Sequence, residues 1–337
     1  MSARLRRAVW CVALVLCVTS LWAQGRIRIR VGTVVPKGSL WHETLQRISQ
    51  EWQKIVGPSL DMTIYPSGQL GDESEMVRQA RQGRIQAVGL SSVGLSRIDV
   101  GVSCLQVPML LDSYEELDYV RDRMAPELER RIEAQGFKVL HWADGGWVYA
   151  FAKQPARTPE DLRRMKLFTS AGDAETERLY KDFGFNVIPL SLTDMITALQ
   201  TGMVDAFAMV PLFAQLQESY KLASNMTNVK WTPLVGGTVI SMTAWNSLSD
   251  QHKPALLEAA RQQGGRLRTE IRRLDEVAIQ EMQKRGLKVI DVDAATLRSW
   301  HAEAEGAYPK LRGRYCPADL FDTVVRVRDE HRKTKGK

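Results

Sequence analysis

Residues 27–34 read Ile27-Arg28-Ile29-Arg30-Val31-Gly32-Thr33-Val34, and their side chains alternate between apolar and polar. This alternation, with a period of two, predicts a first β-strand. Apolar residues at helical spacing then predict a helix over 40–56, and strands over 60–65 and 85–90 enclose a second short helix. Short turns between these elements favour a parallel α/β sheet.

The second half of the chain returns to the same pattern. We predict strands over 137–142, 147–153, 166–168, 186–189 and 206–210, with helices over 174–183 and 192–201. Residues 229–244 then look like extended chain that goes back to the first unit. Residues 250–285 predict a long helix, which Gly264-Gly265 would kink. Two α/β lobes joined by several crossing segments suit a hinged binding protein.

The composition is that of a globular protein. The chain of 337 residues has room for about two domains, and 44% of its residues are hydrophobic and 25% charged. Its net charge of +7 invites a nucleic-acid hypothesis. However, the basic residues near the C-terminus are interleaved with Asp322, Asp329 and Glu330, which is typical of a solvated helix. We therefore expect no nucleic-acid partner.

The first 23 residues are organised like an export signal. Arg4, Arg6 and Arg7 precede an apolar segment over 8–20, and Ala23 offers a cleavage site. We predict a signal peptide over 1–23. An uncleaved membrane anchor is the alternative, and lipidation has weak support because no small residue precedes either nearby cysteine. Removing the signal deletes three arginines and no acidic residue, which lowers the net charge to +4.

The sequence contains no recognisable catalytic or cofactor motif. Its nearest approach to GxSxG is residues 90–94 (LSSVG), which lack the first glycine and are better explained as a turn after a strand. The five histidines are scattered, and the cysteines have no zinc spacing. Beyond the signal only Cys104 and Cys316 remain, either as a disulfide or as buried thiols. We expect a protein that is not an enzyme and that has no cofactor or metal site.

Five short segments carry a family resemblance. They are 65–72 (YPSGQLGD), 107–111 (VPMLL), 158–162 (TPEDL), 188–190 (IPL) and 198–205 (ALQTGMVD). In this order and at this spacing they resemble the DctP-type solute-binding subunits of TRAP (tripartite ATP-independent periplasmic) transporters. The resemblance spans roughly residues 27–300, nearly the whole chain beyond the signal.

The resemblance implies an α/β, two-lobed periplasmic binding protein fold with a long helix spanning both lobes. The lobes would close on one small molecule and deliver it to a TRAP membrane permease. We expect lobe I to contain 24–145 plus 236–268, and lobe II to contain 146–235 plus 269–337. Some relatives, the TPAT variants, work with a periplasmic tetratricopeptide-repeat protein, and such a partner is expected from the resemblance alone.

The chain departs from the family at the positions that usually hold an organic acid. Relatives usually bind the ligand carboxylate with an arginine on the short strand after an Asp-Leu-Lys-Gly motif, where this chain has Phe168. A second arginine is common two residues after a glycine on the crossing strand, where Val148 lies. The polar residue that often ends the first strand is Val34, and Ser91 would be the contact after the third. Residues 205–209 (DAFAM) replace a polar segment.

These positions and the aromatic residues of the crossing segment give the candidate ligand-binding residues: Val34, Gln69, Ser91, Trp142, Trp147, Val148, Phe168, Phe207 and Met209, with Tyr149 as a further aromatic wall. A carboxylate buried without a cation leaves several kcal/mol of desolvation uncompensated. An apolar ligand gains about 0.8 kcal/mol per buried methylene. We therefore expect a hydrophobic or amphipathic molecule, such as a fatty acid-like compound.

Two other interpretations stay open at the level of sequence. Arg163, Arg164 or Lys166 could turn inward and bind a carboxylate as a relocated cation. Alternatively, the chain could be an interaction scaffold that has lost transport, with apolar residues that pack an empty cleft.

Overall fold

The computed structural model describes residues 26–171 and 174–335, so the predicted signal peptide lies outside the described residues. The first half contains β1 (Ile27–Thr33), α1 (Leu40–Val56), β2 (Leu60–Tyr65), α2 (Glu73–Arg81), β3 (Ala87–Ser91), α3 (Ser92–Ser96), a 3-10 helix (Val100–Gln106) and α4 (Tyr114–Ala134). These bounds agree closely with the strands and helices expected over 27–90.

The second half begins with a strand twice as long as any before it. Its elements are β4 (Phe137–Ala152), α5 (Pro159–Arg163), β5 (Lys166–Ser170), α6 (Ala174–Asp182), β6 (Asn186–Leu190), a 3-10 turn (Leu192–Asp194), α7 (Met195–Thr201), β7 (Ala206–Met209), α8 (Pro211–Leu216) and a second 3-10 turn (Ser219–Lys221). The chain ends with β8 (Asn225–Ser241), α9 (Met242–Asn246), α10 (Lys253–Lys284), β9 (Lys288–Ile290), α11 (Ala294–Leu311) and α12 (Ala318–Lys335).

The nine strands of the described chain form one sheet in the order β2-β1-β3-β8-β4-β7-β5-β6, with β9 paired to β8. β1 runs parallel to β2 and β3, and β5 runs parallel to β6 and β7. The long antiparallel pair β4–β8 joins these two parallel units. This mixed α/β architecture confirms the predicted fold class.

β4 is one continuous strand, although the sequence predicts two. Residues 143–146 were expected as a break, and the structure accommodates them as a bulge between Asp144 and Gly146. Gly146 has φ +99°, and a Cβ atom there would lie 2.0 Å from Asp275 Oδ2. Only glycine fits this position, because a side chain would meet both the unfavourable backbone conformation and the carboxylate.

α10 is the long helix expected to cross the molecule, and its 32 residues span about 48 Å. It packs against β4, α1 and α8. The helix continues through Gly264-Gly265, where the sequence suggested a kink. A Cβ atom on Gly264 would lie 2.7 Å from His141 Nδ1, whereas one on Gly265 would meet only Arg268, at 3.9 Å. Gly264 is therefore explained by the close approach of β4.

A buried ion network attaches β4 to α10 and α4. The Asp144 side chain is fully buried, and it accepts hydrogen bonds from Arg272 (3.0 Å from Nε) and Arg121 (3.4 Å). Arg272 also forms a bidentate pair with Asp118 on α4, at 2.7 Å for both contacts. Each charge in this network has a partner, which is the condition under which buried ions are tolerated.

Asp275 attaches the same helix to the other side of the bulge. Its carboxylate accepts hydrogen bonds from the backbone N–H groups of Leu212, at 3.1 Å, and Trp147. Burial raises the pKa of Asp275 to about 7, since the two N–H donors only partly replace water.

The chain end returns to the first half of the sequence. Arg332 on α12 pairs with Asp112, just before α4, and with Glu116 in its first turn, although 269–337 were predicted to belong to lobe II. The proposed lobe boundaries at 145/146, 235/236 and 268/269 fall within β4, β8 and α10, and they remain predictions. Cys104 and Cys316 are free, buried thiols. No helix in the described part of the chain is long and apolar enough to cross a membrane.

The two adjacent glycines of α10 provide a matched pair of substitutions. Gly265→Ala should raise the free energy of unfolding by about 0.5–1 kcal/mol, because alanine is the better helix former and the site is open. Gly264→Ala should lower it by about 1–3 kcal/mol, because the methyl group overlaps the His141 ring. Urea unfolding of both variants measures the difference. Equal effects at the two positions would contradict the assigned contact.

The raised pKa of Asp275 predicts a pH dependence of stability. A carboxyl group with a pKa near 7 when folded and near 4 when unfolded retains its proton in the native state, so stability falls as the pH rises through this range. The free energy of unfolding of Asp275→Asn, measured relative to that of wild type, should therefore rise by about 2.5 kcal/mol from pH 5 to pH 8. Urea unfolding at both pH values measures this. A difference that does not change with pH would refute the raised pKa.

Candidate ligand-binding site

A cavity of about 300 Å³ lies between the carboxyl ends of strands from the two parallel units, which run in opposite directions across the sheet. Thr33, Ser91, Ser170 and Met209, at the ends of β1, β3, β5 and β7, all line it. β4, β8 and the helices α1, α2, α3, α6, α8 and α10 also contribute wall residues. Crevices at the carboxyl ends of strands are the usual ligand sites of α/β sheets, so the fold places this cavity where a binding site is expected.

Five of the residues predicted to contact ligand line this cavity: Val34, Ser91, Val148, Phe168 and Met209. Val148 packs against Val210 and Phe213, and Phe168 is 7% exposed. The structure therefore brings together the positions at which the chain departs from its acid-binding relatives.

The other predicted residues lie outside the cavity. Gln69 is exposed in the turn after β2. Trp142 and Trp147 point to the opposite face of β4, where the Trp142 indole donates to Glu129 and Trp147 packs against Tyr114.

Phe207 and Tyr149 are also buried away from the cavity. Phe207 stacks on Phe151, with ring centroids 5.1 Å apart. Successive residues of a strand face opposite sides, so the wall positions His141 and Val148 place Trp142, Trp147 and Tyr149 on the other face of β4. These three were predicted as aromatic residues of the crossing segment, without use of the alternation, and Phe207 was predicted as a member of segment 205–209.

Several lining residues were missed at the level of sequence, including Trp41, His141, Thr169, Phe213 and Trp231. Trp41 on α1 and Phe213 on α8 form an edge-to-face pair with centroids 6.2 Å apart. Trp41 Nε1 also donates to the backbone oxygen of Asp144 at 3.4 Å. His141 could have been found by alternation along β4, but no local pattern connects α1 with α8.

None of the described residues that line the cavity is a lysine or an arginine. The three cations that could have replaced the missing arginines are engaged elsewhere. Arg163 pairs with Glu303 and donates to Phe183 O at 2.8 Å, and Lys166 donates to Gly202 O. Arg164 is exposed beside Glu160.

The acidic residues of the wall already have partners. The Glu73 carboxylate accepts hydrogen bonds from Ser91 N and Ser91 Oγ, each at 2.6 Å, and from Gly94 N at 2.9 Å. Its burial raises the pKa of Glu73, against the opposing effect of these donors. The Ser91 hydroxyl is thus engaged with Glu73. Asp144 is neutralised by Arg121 and Arg272 from outside the cavity.

Asp72, the third acidic residue of the wall, accepts a hydrogen bond from Glu75 N at 2.8 Å. The other polar residues of the wall have uncharged side chains. Burial lowers the pKa of His141 to about 4, so its imidazole is neutral at pH 7. His141 Nδ1 lies 3.3 Å from Trp142 O, and Nε2 has no hydrogen-bond partner among the described residues. The same holds for Thr169 Oγ1. In the described part of the chain no group of three or more His, Cys, Asp and Glu residues could hold a metal ion.

Comparison with known proteins identifies the family. Residues 31–313 match the DctP family, described as "Bacterial extracellular solute-binding protein, family 7". The 2,3-diketo-L-gulonate-binding periplasmic protein YiaO of Escherichia coli K12 is 26% identical over 281 residues, which cover 82% of this chain and 84% of YiaO. The sialic acid-binding periplasmic protein SiaP of Vibrio cholerae is 20% identical over 242 residues, which cover 70% of this chain and 74% of SiaP.

Solved structures show the same fold. A TRAP periplasmic solute-binding protein from Xanthobacter autotrophicus Py2 with bound β-D-galacturonate superposes with a TM-score of 0.81 at 21% identity, covering 89% of this chain and 99% of that one. One from Sulfurospirillum deleyianum with bound succinate has a TM-score of 0.82 at 19% identity, covering 90% and 100%. The chain therefore belongs to the DctP family of bacterial extracellular solute-binding proteins, and it has the two-lobed fold of the TRAP periplasmic solute-binding proteins.

Proposed function

We propose that this subunit carries a hydrophobic or amphipathic small molecule in the cavity between its lobes. The observation that supports this proposal is the absence of lysine and arginine among the described lining residues. Val34, Val148, Phe168 and Met209 occupy that wall. The relatives with bound galacturonate and succinate take anionic ligands, and the proposed cargo differs from theirs in charge.

Electrostatics favours an uncharged cargo. A carboxylate that enters a closed cavity loses its hydration, and an arginine fork normally offsets that loss. Here it would meet Phe168 and Val148, which have no side-chain donor, and the nearby carboxyl groups of Glu73 and Asp144. An alkyl chain of ten methylenes gains roughly 8 kcal/mol before the cost of ordering, so micromolar affinity requires that this cost be small.

The alternative with a relocated cation has less structural support. Arg163 and Lys166 would each have to give up a present partner before reaching the ligand. A scaffold that has lost transport is the rival from another class, and in that case the cavity would bind none of the tested compounds.

The proposed setting is the periplasm, reached through the export signal over 1–23. There the loaded subunit would dock on the membrane components of its TRAP transporter. A tetratricopeptide-repeat protein is proposed as an additional partner, since an apolar cargo benefits from transfer between proteins without passage through water.

A ligand panel tests the charge preference. 1-Decanol should raise the melting temperature of the purified protein, and D-glucuronate and succinate should not, because only the alcohol avoids burying an uncompensated charge. Mass spectrometry of an organic extract of the protein should also detect an apolar molecule. A shift with the two acids and none with the alcohol would refute the proposal, and no shift with any compound would favour the scaffold.

Substitution of Phe168 tests the site directly. Phe168→Arg should weaken 1-decanol binding at least tenfold, because it buries a charge against the alkyl chain. The same variant should gain measurable affinity for D-glucuronate. Phe168→Leu is the matched control, and it should bind 1-decanol within a few-fold of wild type because it keeps an apolar side chain there. Calorimetric titration measures all three proteins. Unchanged decanol affinity in Phe168→Arg would place Phe168 outside the site.

A further inference from the structure

A second cavity, which we name the annex, adjoins the ligand cavity and has a volume of about 40 Å³. It is lined by Ala150, Leu162, Leu167, Tyr180, Phe185, Ala208, Thr227, Val229, Trp231 and Trp300. Three of these residues, Tyr180, Ala208 and Trp231, also line the ligand cavity. The two spaces are therefore neighbours that share one wall.

The annex is apolar in practice, because its polar side chains are already hydrogen-bonded. Thr227 Oγ1 donates to Ala156 O at 2.7 Å. Trp300 Nε1 donates to the backbone oxygen of Arg157 at 2.8 Å, and its ring lies edge-on to Trp231. Neither side chain has a free N–H or O–H donor to offer a ligand, so the annex suits hydrocarbon.

The shared wall is built from side chains that can rotate. Trp231 Nε1, on β8, donates to Tyr180 Oη, on α6, at 3.0 Å. Both side chains are half-buried, and neither belongs to the fully buried core. A passage between the two spaces at this pair would require one ring to rotate and no strand to move.

The size of the annex corresponds to a short piece of chain. A water-sized group needs about 10–15 Å³ of cavity volume, so the annex, with about 40 Å³, has room for about three such groups. Three methylenes approximate that number in a linear alkyl chain.

We propose that the annex is a subsite for the end of the ligand's alkyl chain, which enters between Tyr180 and Trp231. This inference rests on the proposed apolar cargo and adds that the cargo has an unbranched chain longer than the main cavity alone accommodates. The annex then sets the longest alkyl chain that still gains affinity. Each methylene inside it strengthens binding, and chains that exceed it gain nothing more.

A homologous series of 1-alkanols from eight to sixteen carbons tests this limit on chain length. In wild type the dissociation constant should fall about fourfold for each added methylene up to a limiting length. Ala150→Leu fills the annex and should move that limit about three carbons shorter, with unchanged affinity for the shortest alcohols. Calorimetric titration or displacement of 1-aminoanthracene fluorescence gives the constants. Ala295→Leu, the same change at an exposed site on α11, should match wild type.

A second variant keeps the test decisive if Ala150→Leu does not fold. Leu162→Ala enlarges the annex and should move the limit to longer chains. Identical chain-length profiles in wild type and in the folded variants would overturn the annex while leaving the apolar cargo intact. If no alkanol of any length binds to wild type, the proposed function itself fails, and the annex with it.

Discussion

The attachment of β4 to α10 on both sides of Gly146 is the constraint on which the rest of the structure depends. Arg272 holds the buried Asp144 carboxylate on one side of the bulge, and Asp275 accepts the Trp147 amide on the other. The middle of β4, from His141 to Val148, contributes five residues to the cavity wall. The position of that wall is therefore set by Arg272 and Asp275, which lie three positions apart on one helix.

This arrangement keeps the two guanidinium groups that neutralise Asp144 away from the binding surface. The guanidinium groups of Arg121 and Arg272 neutralise Asp144 from the side facing α4 and α10. The cavity side presents the carboxyl group of Asp144, neutral His141 and apolar side chains. The same fold in its relatives holds β-D-galacturonate and succinate, so the architecture does not determine the cargo. Substitutions at a few strand ends can change the ligand charge that the cavity tolerates. Gaining or losing one buried cation changes the binding free energy of an anionic ligand by several kcal/mol.

The annex adds selection by the chain length of the ligand to selection by its charge. A cavity without directional polar contacts distinguishes its ligands mainly by the volume and shape that it offers. The annex, which adjoins the cavity at Tyr180 and Trp231, supplies such a distinction, since added methylenes increase the affinity only until the annex is filled.

The sequence alone was sufficient for much of the fold, because strand alternation and helical spacing are local properties. The strands and helices of 27–90 begin and end within a few residues of their expected limits, and the family segments predicted the two-lobed architecture. The replacement of arginine by Phe168 and Val148 was also visible in the sequence. Local patterns could not show that residues 143–146 bulge instead of breaking β4, since the bulge depends on Asp144 and Asp275 reaching partners far along the chain. Tertiary structure likewise decided that Trp142, Trp147 and Phe207 face the core while Trp41, Phe213 and Trp231 face the cavity. The side of a strand that becomes a binding surface is set by what packs against its other side.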